Sequence, residues 1–95
     1  MDLSHQGISD LSGIEKLRSL EYLDISHNAV TDIWPLSTLY ELRELNISSN
    51  KVQDIMAVKD LPELKWFNMS DNPVGHESTS VYKCELEGRG VVVSW

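Results

Sequence analysis

Apolar residues in this chain fall in a pattern that repeats every 22 positions. Leu20, Leu23, Ile25 and Val30 are followed by Leu42, Leu45, Ile47 and Val52, and then by Leu64, Phe67, Met69 and Val74. Two periods are superimposed within each unit. Leu23 and Ile25 alternate with Tyr22, Asp24 and Ser26, the period of two expected of a strand with one buried face. Upstream, Leu36, Leu39 and Leu42 are spaced by three, which suits a 3₁₀ turn or a brief helix in which i and i+3 align. A long α-helix does not fit in the interval. Each unit is therefore one strand and one short return segment. Stacked units place their strands side by side as a parallel sheet, because consecutive parallel strands need a crossover and the return segment supplies it.

The units divide the single domain, residues 1–95, into a partial repeat (1–11), three full repeats (12–33, 34–55 and 56–77) and a closing segment (78–95). The partial repeat carries Met1, Leu3, Ile8 and Leu11 where later coils carry Leu23, Ile25, Val30 and Ile33. The chain enters at a strand with no preceding coil. Since each coil buries its face only against its neighbours, Met1, Leu3, Ile8 and Leu11 are expected to form a bare apolar edge. Either a larger parent chain or another chain, including a second copy, is expected to cover it. In the closing segment a helix of about three turns is predicted from Ser78, with Ser78 or Thr79 as its N-cap and Gly88 or Gly90 ending it. Val91–Val93 follow as a β-branched strand. Trp95 is expected to pack over that strand's edge, and Cys84 to lie buried on the helix beside Val81.

An asparagine recurs with the same period, at Asn28, Asn50 and Asn72 (Gln6 takes the position in the first coil). These side chains are expected to turn inward after each strand and pair with backbone groups as a structural ladder. The repeated string Ile14, Leu17, Leu20, Leu23, Ile25, Asn28, Val30, Asp32, Ile33, and again Leu36 through Ile55, resembles the short 22-residue class of leucine-rich repeats found in internalins and phosphatase-1 regulatory subunits. Such periods lie within the range these repeats use. The tail, from Asn72-Pro73-Val74 through Tyr82 and Leu86 to Arg89-Gly90-Val91-Val92-Val93, resembles the closing unit of bacterial repeat proteins. Lys83 and Cys84 depart from its usual Ile-Pro. The resemblance implies an α/β fold: a right-handed leucine-rich repeat solenoid with a parallel sheet on the concave face and short 3₁₀ turns on the convex side. It also implies protein binding through the concave face.

Outward strand positions are then the candidate reading surface. In rows across the coils they are Tyr22, Glu44 and Trp66; Asp24, Asn46 and Asn68; and Ser26, Ser48 and Ser70. Outward aromatics favour the binding reading, against ordinary solvated surface carrying incidental aromatics. Across five strands this surface is roughly 20 Å wide. Trp34, beside Pro35, is expected on the convex side, packed over Pro35 or Pro62. His5 and His27 fall on adjacent coils, in a row continued by Ser49 and Asp71. Zinc needs three or four ligands, so solvent-facing histidines are the expectation and no metal or other cofactor is implied. The sequons Asn46-Ile47-Ser48 and Asn68-Met69-Ser70 arise from the repeat itself.

Composition narrows the partner class. The formal net charge is −7, with no run of Lys or Arg, so neither nucleic acid nor an anionic membrane is an expected partner. No apolar run approaches a membrane span. The single cysteine, Cys84, excludes an internal disulfide and is neutral about compartment. No nucleophile–base pair, metal set or phosphate-binding glycine loop is present, and Asp24 and Glu44 lie on an open surface, so no enzyme is expected. Two readings remain: a non-catalytic module that binds a protein through its concave sheet, and an assembly element that docks or oligomerises through its uncapped first coil.

Overall fold

The structure, a computed structural model, describes residues 1–76 and 78–95, with Ser78 and Thr79 described by backbone alone. Four short parallel strands, β1 (Tyr22–Asp24), β2 (Glu44–Asn46), β3 (Trp66–Asn68) and β4 (Val92–Ser94), form one sheet in chain order. The first coil joins through a bridge between Asp2 and Asp24 rather than as a full fifth strand. Register follows the repeat: Tyr22 faces Glu44, which faces Trp66, which faces Val92. On the opposite side run 3₁₀ turns at Ile14–Lys16, Trp34–Thr38 and Met56–Val58. Pro35 sits at the start of its turn, where a missing N–H costs nothing. This is an open leucine-rich repeat solenoid.

Burial is graded along it. In the central coil Leu36, Leu39, Leu42, Leu45, Ile47, Val52 and Ile55 are all 0% exposed. A coil between two others has both flanks sealed. At the N-terminal end Leu3 and Ile8 are half-buried, and Leu17, whose counterparts Leu39 and Leu61 are core, is 42% exposed. Leu11 departs from the bare edge expected of it. It is 5% exposed and belongs to the core with Ile14, because the first 3₁₀ turn folds over it and the Ile14 N–H donates to the Leu11 carbonyl.

Polar side chains close the turns. Asn28, Asn50 and Asn72 each aim inward. The Asn50 amide donates to the carbonyls of Ile25, Ile47 and Ser48, and its oxygen accepts from the Val30 N–H. Asn72 makes the same set one coil on, to Ile47, Met69, Ser70 and Val52. The residues before them (His27, Ser49 and Asp71) have φ of 55–57°, as has His5 before Gln6, the left-handed conformation that turns the chain sharply enough to bring each asparagine amide inside. Asp10, Asp32 and Asp54 accept from the N–H two residues on and so start each 3₁₀ turn. Among the described residues no buried side-chain nitrogen or oxygen lacks a partner.

The closing segment is a π-helical turn (Ser78–Tyr82) continuing into α1 (Lys83–Gly88). The N-cap expected of Ser78 or Thr79 rests on side chains outside those described. At the C-terminus of α1, Gly90 takes φ 88°, its N–H donates to the Glu87 carbonyl, and the Val91 N–H donates to the Leu86 carbonyl. That pair of bonds is a Schellman motif, and buried Leu86 and Val91 supply its apolar contact. The strand that follows begins at Val92, one residue later than the β-branched run suggests. Cys84 is exposed, not buried, and Val81 is 43% exposed. The inward face belongs to Tyr82 and Leu86, four apart, and Cys84 between them points the other way. Trp95 is 69% exposed instead of sealing the edge, and the Lys83 ammonium stands 4.3 Å from its ring centroid.

Candidate binding surface

The sheet presents alternate residues of each strand to solvent. Tyr22 is 52% exposed, Glu44 is exposed and Trp66 half-buried. With Asp24, Asn46, Leu23 and Met1 they line one shallow hollow of about 250 Å³. Five of the six candidate contact residues thus meet around a single depression. Asn68 lies beyond it, paired in register with Ser94. The Met1 amino group donates to the Tyr22 carbonyl at 2.8 Å, which holds the start of the chain against this rim. On the flank just before the strands, Arg43 and Glu21 form an ion pair at 3.2 Å, both half-exposed.

The second row of candidates has a further role. The Asp24 carboxylate accepts from the Ser26 N–H at 2.9 Å and the Ser26 hydroxyl at 2.6 Å. Asn46 accepts from the Ser48 N–H, and Asn68 from the N–H and hydroxyl of Ser70. Asp2 and Ser4 repeat the arrangement in the first coil. These are Asx turns that end the strands. One oxygen of each side chain is therefore committed to the fold, and only the remaining atoms are free to face outward. Ser26, expected to point outward, is 5% exposed. Strand alternation stops at Asp24, and the turn folds the serine back. The Asp/Asn-x-Ser spacing at period 22 is the signal in the sequence for this second polar row.

Other singled-out residues lie apart from the hollow. Trp34 is 57% exposed rather than packed away. It lines a separate convex depression with Pro35, Ser37 and Thr38. His5 and His27 stack with ring centroids 4.3 Å apart and an interplanar angle of 8°. Among the described residues no three His, Cys, Asp or Glu side chains gather as a metal site. No helix of the described residues is long and apolar enough to cross a membrane.

Comparison with known proteins places this geometry. A family model described as leucine rich repeats, in two copies, matches residues 18–63. No curated protein sequence matches. Among solved structures, internalin C2 from Listeria monocytogenes superimposes on 97% of this chain with a TM-score of 0.83 and 30% identity, over 39% of its own length. A second Listeria monocytogenes internalin superimposes on 81% of this chain, with a TM-score of 0.72 and 33% identity, over 22% of its length. A leucine-rich repeat protein of Leptospira interrogans shares the fold over 86% of this chain, with a TM-score of 0.74 and 19% identity, over 21% of its length. The chain thus spans less than half of each of these proteins. Its period, its parallel sheet and these likenesses agree: the chain has the leucine-rich repeat fold, matches the repeat model over residues 18–63, and is similar in fold to the internalins.

Proposed function

We propose that this chain binds a protein partner on its concave sheet, through Tyr22, Asp24, Glu44, Asn46, Trp66 and Asn68. Leucine-rich repeat domains generally mediate protein–protein interaction and are typically non-catalytic. The observation that carries the finer reading is the register of Tyr22, Glu44 and Trp66. It sets two large aromatic side chains on one open face around a common hollow. Aromatics of this kind offer large contact area at little entropic cost and dominate binding energies. The test is capture of partners by the immobilised chain, compared with Tyr22→Ala and Trp66→Ala. Partner recovery is expected to fall by more than about tenfold, with the melting temperature of Tyr22→Ala unchanged. Full recovery by the double variant removes this face.

A second reading is favoured by a different observation. Met1, Leu3, Ile8, Leu11 and Leu17 surround an apolar depression of about 400 Å³ at the N-terminal end. This edge suits docking to another chain or to a second copy.

A further inference from the structure

We propose that Tyr22, Glu44 and Trp66 together receive an arginine side chain of the partner protein. The proposal rests on the concave face being the binding surface and adds the chemistry of what enters it. In the parallel register Glu44 stands between Tyr22 and Trp66, with each aromatic about one strand spacing, roughly 4.8 Å, to either side. Asp24 borders the same hollow, and Leu23 contributes an apolar wall. A carboxylate between two aromatic side chains matches a guanidinium on both counts. The planar cation forks onto the carboxylate and lays its face on the rings.

The charge balance also points to a cation. Two carboxylates, Asp24 and Glu44, line the hollow. Among the residues that line it none is a lysine or arginine. Arg43, adjacent in sequence, is held on the flank by Glu21. Two aromatics elsewhere lie near the chain's own lysines, Trp95 by Lys83 and Tyr82 by Lys59. Among the described residues no lysine or arginine stands over Tyr22 or Trp66. The chain's overall charge of −7 draws a basic segment toward it and repels an acidic one.

The test titrates isotopically labelled protein with short extended peptides that share one sequence and carry arginine, lysine, citrulline or glutamate at the central position. The Trp66 indole N–H and the Tyr22 and Glu44 amides report where each binds. Arginine is expected to bind most tightly, with citrulline, its neutral isostere, weaker by about tenfold or more. Glu44→Gln is expected to erase the arginine–citrulline difference, and added salt to narrow it. If all four peptides perturb this face equally, the concave surface stands and the arginine receptor falls. If the arginine peptide perturbs other residues only, or nothing, the receptor falls. A parallel selection of random peptides on the wild-type chain separates the two ideas. Selected peptides that lack basic residues yet are lost on Tyr22→Ala keep the face and overturn the arginine. Selected peptides indifferent to Tyr22→Ala and Trp66→Ala overturn both.

Discussion

At the scale of single residues the fold depends most on side chains that never meet a partner. Asn50 is 7% exposed and serves three carbonyls and one N–H. Asn50→Ala strands those groups in the interior of the solenoid, at a cost of about 1–3 kcal/mol. Thermal unfolding followed by circular dichroism is expected to show a clear drop for Asn50→Ala. Asn46→Ala, which removes a single turn acceptor at the surface, is expected to show a smaller one. Equal melting of Asn50→Ala and wild type would remove the ladder's structural role. The period of 22 makes this asparagine row legible in the sequence, because the same amide recurs three residues after the last apolar position of each alternation. The Asx row was equally periodic but harder to read. Asp24, Asn46 and Asn68 occupy outward strand positions, and alternation alone assigns them to a partner. Only the serine two residues on shows that part of each side chain is turned back into the backbone.

At the scale of elements, strands and 3₁₀ turns were legible because each is short, periodic and repeated. One coil's pattern could be checked against the next. Non-repeating pieces were not so constrained. Val81 and Cys84 looked like an apolar helical face, but Tyr82 and Leu86 take the inward side. The Leu86 site is fixed from outside the helix, by the Schellman turn at Gly90 and by Arg89, whose guanidinium donates to the carbonyls of Lys59 and Leu61 in the preceding coil. Lys83, unexpected beside an apolar closing face, directs its ammonium to both Trp95 and Glu87. At the opposite edge of the described coils the outermost strand contact is the bridge between Asp2 and Asp24. There the Leu3 N–H and the Met1 carbonyl pair with Asp24, so the intervening Asp2 peptide groups turn toward the open side, as alternation in a parallel ladder requires. An edge of this kind accepts another strand. Light scattering over a concentration series is the measurement. A mass that rises with concentration in the wild type and stays monomeric in Ile8→Lys is the expected outcome for the assembly reading. A constant monomer mass removes self-association.

At the scale of the whole molecule, the two ends differ in how they respond to acid. The strand-ending turn is built with aspartate in the first coil, at Asp2, and with asparagine at Asn46 and Asn68. Asp2 is held below the usual carboxylate range, first by the Ser4 hydroxyl and then by the Ser4 N–H. Asp10, in the same coil, is lowered first by the Ser12 N–H and then by its hydroxyl. A carboxylate whose folded pKa is depressed stabilises the fold above its ordinary pKa of about 3.9. That contribution is lost as the pH falls through the depressed value. Asparagine in the same turn does not titrate. Both carboxylates are exposed and each effect is small, but they act on the coil with the least apolar cover, where Leu3 and Ile8 are only half-buried. Acid is therefore expected to loosen the solenoid from its N-terminal end. Hydrogen exchange below about pH 4 should show the Leu3 and His5 amides, bonded to Asp24 and Ser26, losing protection before those of Ile47 and Ser49. Asp2→Asn should delay that loss. Simultaneous loss across all coils would show instead that the stack opens as one unit, and that the terminal turns set nothing. The rim of the candidate hollow includes Met1, held to Tyr22. Fraying of this coil would therefore open one wall of the proposed binding surface, and arginine-peptide affinity should fall over the same pH range in which Leu3 and His5 lose protection.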